Sequence, residues 1–87
     1  MERTILVILI DKRKEAAVTA QKILTEWGCL IKTRLGLHDG VLDKCSNSGL
    51  IICEMVGEKE KIKEMTRKLN LLDGVTAKLT DLSLKEK

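Results

Sequence analysis

The strongest constraint on this chain is an uninterrupted apolar run near its N-terminus, Ile5-Leu-Val-Ile-Leu-Ile10, which follows Thr4, is rich in β-branched side chains and is bounded by charge at both ends. A run of this kind reads as a strand buried on both faces. It is too short to span a bilayer or to form the core of a signal peptide. Glu2 and Arg3 precede it and no small-residue cleavage site follows it, so the expected location is cytoplasmic, with no membrane contact. At 87 residues the chain has room for one domain, taken as 1–87 with a core over 3–80 and a frayed tail over 81–87.

Downstream of the run the hydrophobic period changes. Asp11 offers a helix-capping acceptor, and Ala16, Ala20, Ile23, Leu24 and Trp27 recur at three- and four-residue steps up to Gly28, which predicts an amphipathic helix with a glycine stop. From Cys29 to Leu37 the residues alternate. Ile31, Thr33, Leu35 and Leu37 are expected to face the core, with Lys32 and Arg34 outside. A polar connection over His38–Ser48, long for a hairpin, leads to a third strand over Leu50–Val56.

Gly57 and Glu58 open a second helix with the apolar stripe Ile62, Met65, Leu69 and Leu72. Its charged residues alternate in sign, and Glu64 is placed to pair with Lys68. Asp73-Gly74 makes a tight exit into a last strand carrying Val75, Ala77 and Leu79 on one face. The order β, α, β, β, α, β predicts an α+β, ferredoxin-like sandwich: a four-stranded antiparallel sheet with two helices on one face, the first and third strands central.

Two helices cover one side of such a sheet, yet the first strand is apolar on both sides and the third places Leu50 and Ile52 beside Glu54 on the uncovered side. Large exposed apolar patches mark interfaces, so a homo-oligomer, dimer or tetramer, is expected through the open sheet face, with the bare edge of the second strand as a further route.

Composition removes other classes of function. Trp27 is the only aromatic residue, so the sheet lacks the stacking side chains with which related folds hold RNA. The net charge of +3 is too mild for a nucleic-acid binder, and no direct nucleic-acid contact is expected. The three cysteines, Cys29, Cys45 and Cys53, form no CxxC pair and read as reduced thiols, with Cys29 and Cys53 as small buried hydrophobes. No cysteine has a base and an orienting partner in sequence, so no catalytic residue is assigned and the chain is not read as an enzyme.

Four stretches carry a family resemblance: Arg3–Asp11, Ile31–Leu37, Gly49–Cys53 and Lys68–Val75. In their order and spacing the chain resembles the ACT-like domains. It resembles more closely the small stand-alone iron-only hydrogenase system regulators, whose domain is related to the C-terminal ligand-sensing domain of the nickel-responsive repressor. The resemblance implies a regulatory or ligand-sensing role, an oligomeric β-sheet assembly and a small-molecule effector. Amino-acid-binding ACT domains usually carry Pro-Gly after the first strand. This chain has Asp11-Lys12-Arg13-Lys14 there.

Two sets of residues are candidate sites. Asp11, Lys12 and Arg13 at the start of the first helix, with Lys32 and Arg34 on the outer sheet face near Lys78, could meet an anion or phosphate with help from helix-end amides; solvated charge is the alternative. His38 and Cys45, with Asp39 and Asp43 between them, offer imidazole, thiolate and carboxylate donors for zinc, nickel or iron, against the alternative of a solvated polar loop. The second reading of function is accordingly a metal-responsive sensor working with a separate DNA-binding partner. No cofactor is identified.

Overall fold

The computed structural model describes residues 2–37 and 47–85. Its elements run β1 (Glu2–Asp11), α1 (Ala16–Glu26), a single 3₁₀ turn (Gly28–Leu30), β2 (Ile31–Leu37), β3 (Ser48–Met55), α2 (Lys59–Asn70) and β4 (Val75–Ser83). The four strands form one sheet in the order β2-β3-β1-β4, and every neighbouring pair is antiparallel. This is the expected ferredoxin-like arrangement, with β1 and β3 in the centre.

The centre forms because β1 has apolar side chains to spend on both faces. Leu6, Ile8 and Ile10 point toward the helices and are buried, joined by Ile51, Cys53 and Met55 of β3 and by Val75 and Ala77 of β4. Above them lie Ala20 and Leu24 of α1 and Ile62, Met65 and Leu69 of α2. Leu72, the last residue of the expected stripe, lies beyond the end of α2 and packs against the core from its rim. Full burial of a Leu, Ile or Met side chain is worth about 1.5–3 kcal/mol, so this layer supplies most of the driving force for folding.

Local chemistry sets the ends of the elements. Gly74 adopts φ of 77°, and a Cβ there would come within 2.8 Å of Lys14 Cγ, so the exit into β4 requires glycine. Asp11 does not cap α1. Its Oδ1 accepts the backbone N–H of Arg13 at 3.0 Å in a local turn, and the helix begins at Ala16. Gly28 is not a left-handed cap either, because the chain tightens from Trp27 into the 3₁₀ turn. Cys29 is exposed there, contrary to the sequence reading, whereas Cys53 is fully buried as expected and burial raises its thiol pKa. On α2, Glu64 accepts a two-point contact from Arg67 in place of the expected Lys68 pair.

β2 departs most from expectation. Ile31 pairs with Met55 and Thr33 with Glu54, so an extra residue, Lys32, is inserted into the edge strand as a bulge. A one-residue slip turns every later side chain over. Thr33, Leu35 and Leu37 therefore lie on the open face opposite Glu54, Ile52 and Leu50, and Arg34 faces the helix side opposite Cys53, where its guanidinium reaches the Gln21 carboxamide of α1. Arg34 and Lys78 consequently stand on opposite sides of the sheet.

The other edge is closed by a side chain. Asn70, at the end of α2, donates from Nδ2 to the Ala77 carbonyl at 2.9 Å and accepts the Ala77 N–H on Oδ1 at 2.8 Å, as a neighbouring strand would. β4 continues to Ser83, past the tail boundary expected at residue 80. Asp81 explains the extension: it accepts hydrogen bonds from Thr4 Oγ1 at 2.7 Å and from the Lys59 ammonium, which also donates to Glu2 at 2.9 Å.

Replacing Asn70 with Ala leaves the Ala77 amide and carbonyl without a protein partner, at a cost of about 1–3 kcal/mol. Urea denaturation should show the midpoint falling with an unchanged slope. A loss below about 0.3 kcal/mol would mean the clip contributes nothing.

Candidate functional site

Two surfaces stand out. The first is the open face of the sheet. Leu37, Leu50 and Leu9 form one row across β2, β3 and β1, ending on Thr76 of β4; Leu35, Ile52 and Val7 form the next, ending on Lys78. No described element covers these rows. Leu9, Leu35 and Leu37 remain 50%, 53% and 38% exposed. The bulge at Lys32 enlarges this patch, because it turns Leu35 and Leu37 out of the helix side and into line with Leu50 and Ile52.

A bidentate ion pair closes one end of the patch. Arg3 donates from Nε and Nη2 to the two oxygens of Glu54 at 2.7 and 2.6 Å. The pair is diagonal across β1 and β3, and its hydrogen bonds hold the Glu54 carboxyl below its ordinary pKa, aided by the charges of Arg3 and Lys32.

The second surface is a cleft of about 310 Å³ on the helix side, between α1 and the β3 strand. It lies where α1 presents the small Ala17 toward the core. Ala17, Val18 and Gln21 form one wall; Ile10, Gly49 and Ile51 form the floor. Lys12 runs across Gly49, where a Cβ would meet Lys12 Cε at 2.9 Å. Glycine at 49 is thus what lets the lysine stem lie flat along the cleft.

The candidate residues from the sequence do not assemble into one site. Asp11 and Arg13 satisfy each other: Arg13 donates from Nε and Nη2 to the Asp11 carboxylate at 3.0 Å each, and those bonds, with the one from the Arg13 backbone, lower the Asp11 pKa to about 2. Lys32 stands at the far end of the sheet, acting on Glu54. Lys12 and Arg34 do come together on the helix side, Lys12 in the cleft and Arg34 through Gln21 at its margin. His38 and Cys45 lie outside the described residues, and among the described residues no three His, Cys, Asp or Glu side chains cluster as metal ligands. Sequence reading missed Val18, Gln21 and Gly49; the one available signal was Val18, an apolar residue standing off the stripe of its helix.

No helix of the described residues is long and apolar enough to cross a membrane. No family model matches the sequence, and a search of curated proteins finds no match. Among solved structures, the chain is similar to the uncharacterized protein TM1266 of Thermotoga maritima, with a TM-score of 0.78 and 24% identity over 95% of this chain and all of that one. It is also similar to CPII of Thiomonas intermedia K12, a nitrogen regulatory PII-like protein, in the complex with ADP, AMP and bicarbonate: TM-score 0.61, 13% identity, 100% of this chain and 97% of that one. A second CPII structure, bound to ADP, AMP and acetate, matches with a TM-score of 0.56 and 14% identity, over 98% of this chain and 90% of that one. At these identities the likeness establishes the fold.

The paired carboxylates give the protein a defined acid response. Asp11, Glu54 and Asp81 are each held below their ordinary pKa by hydrogen bonds from Arg13, Arg3 and Lys59 respectively. A carboxylate with a depressed folded pKa favours the native state above its unfolded pKa, and that contribution is lost as pH falls through the folded value. For Asp11 the window runs from 3.8 down to about 2. Urea midpoints should therefore fall across that window, and Asp11→Asn should reduce the drop; identical acid profiles for the two proteins would contradict the assignment.

Proposed function

We propose that this chain is a homo-oligomeric regulatory protein without catalysis of its own, in which the open sheet face joins the subunits and a small molecule is the signal. The observation that carries the reading is the apolar patch of Val7, Leu9, Leu35, Leu37, Leu50 and Ile52, aligned in register across three strands. At about 25 cal/mol per Å², leaving these side chains in water forgoes several kcal/mol, which is comparable with the net stability of a domain this small. Four strands about 4.8 Å apart and some 25 Å long present roughly 500 Å² of flat face, so two copies face to face bury about 1,000 Å², enough for a specific dimer.

A second copy suits the patch better than an unrelated partner does. The rows are flat and aliphatic, and an identical set of rows turned about a two-fold axis matches them in size and chemistry. The edges suit it less. Asn70 occupies that of β4, and the bulge with Lys32 and Arg34 disfavours strand addition at β2.

The ligand-sensing half is supported by the shared fold with a PII-like regulatory protein whose structures hold ADP and AMP, and by the cleft beside α1. A place in iron-only hydrogenase regulation rests on the sequence resemblance and belongs to the same proposal.

Light scattering on the purified protein should give the mass of two or more chains, and Ile52→Asp should reduce it to that of one chain while the circular dichroism spectrum keeps its shape. A monomeric wild type overturns the oligomer. Calorimetric titration with adenine nucleotides, amino acids, divalent metals and monocarboxylates tests the sensing half; no heat from any of them removes it.

A further inference from the structure

We propose that the cleft beside α1 binds a small monocarboxylate with an apolar body, its carboxylate held by Lys12 and its tail lying against Val18 and Ile51. The inference deepens the ligand-sensing half of the function above by naming a site and a ligand class. It stands on three features of the cleft.

First, the cleft is apolar where a soluble surface usually is not. Val18 is 64% exposed on α1 and borders a space floored by the buried Ile10 and Ile51. A volume of about 310 Å³ falls at the lower end of the range for small-molecule sites.

Second, among the described residues that line the cleft Lys12 is the one cation, and it is laid down by the backbone beneath it. The Lys12 stem crosses Gly49, and the Lys12 ammonium forms no ion pair or hydrogen bond within the described residues. The nearest carboxylate in sequence, Asp11, is occupied by Arg13.

Third, the wall of the cleft carries a neutral donor. The Gln21 Oε1 accepts from Arg34, which leaves the Nε2 amide hydrogens directed away from that bond and available to a second ligand oxygen.

These features select among ligands. Among the described residues no carboxylate lines the cleft, so within them the ammonium of a zwitterionic amino acid would be desolvated without a partner. A nucleotide phosphate carries more charge than one lysine and one amide can satisfy. A single negative charge on an aliphatic or aromatic tail matches both the walls and the donors.

The test uses octanoate as probe on the protein labelled with ¹⁵N, with acetate, octanol and inorganic phosphate as companions. Octanoate should produce saturable shifts centred on the Ala17, Val18 and Gly49 amides. Acetate and phosphate should produce none at the same sites, and octanol should bind at least about tenfold more weakly. Lys12→Met, which keeps the stem and removes the charge, should weaken octanoate at least about tenfold, and Ala17→Leu, which fills the cleft, should abolish the shifts. Absence of saturation by about 10 mM octanoate, shifts centred on Leu35 and Ile52, or unchanged affinity in both variants overturns the site. If nucleotides, amino acids or metals bind while octanoate does not, this inference fails and the sensing role stands; if none binds, both fail.

Discussion

The structure depends on β1 being apolar toward both sides of the sheet. Its Leu6, Ile8 and Ile10 fasten α1 and α2 to one side; its Ile5, Val7 and Leu9 put the same kind of surface on the other, where no described helix lies. A strand of this composition must sit in the centre, and here it pairs along nearly its whole length with β3 and β4. Two short helices cannot cover two faces. The uncovered face is therefore a consequence of the fold's own economy, and association is the direct way to bury it.

The rest of the molecule is arranged around that division. The edges of the sheet are made unattractive to a further strand, one by the Asn70 amide acting as a substitute strand and the other by a charged bulge. The Arg3–Glu54 pair and Lys78 border the patch and limit its extent, giving an otherwise featureless aliphatic surface a charged margin on which register can be set. On the helix side, a cleft lies between the small Ala17 of α1 and β3. The proposed subunit contact and the proposed ligand cleft thus lie on opposite faces of the same two central strands.

Much of this was legible in the residues themselves. The order of elements, the central place of β1 and β3, the stripe of α2, the buried Cys53 and the open face with Leu50 and Ile52 beside Glu54 all follow from hydrophobic period and turn chemistry. Alternation alone misplaces the side chains of β2, because it assumes an unbroken strand. The bulge at Lys32 obeys pairing with β3, which no local pattern encodes, and it moved Leu35 and Leu37 to the open face and Arg34 to the helix side. Asp11 was assigned to a helix cap because the chain alone does not show that Arg13 occupies it first. The scattered basic residues could not be sorted by sequence either, since Lys12 and Lys32 lie at opposite ends of the sheet and line different cavities, which only the fold shows.

The central claim is that the open face is buried against another copy in solution, and the thermal midpoint measured as a function of protein concentration tests it most directly. Linkage requires that a protein whose native state is an oligomer gain stability with concentration, so the midpoint should climb steadily over about a hundredfold range of concentration. A midpoint that stays fixed over that range, with the mass of a single chain throughout, would contradict it.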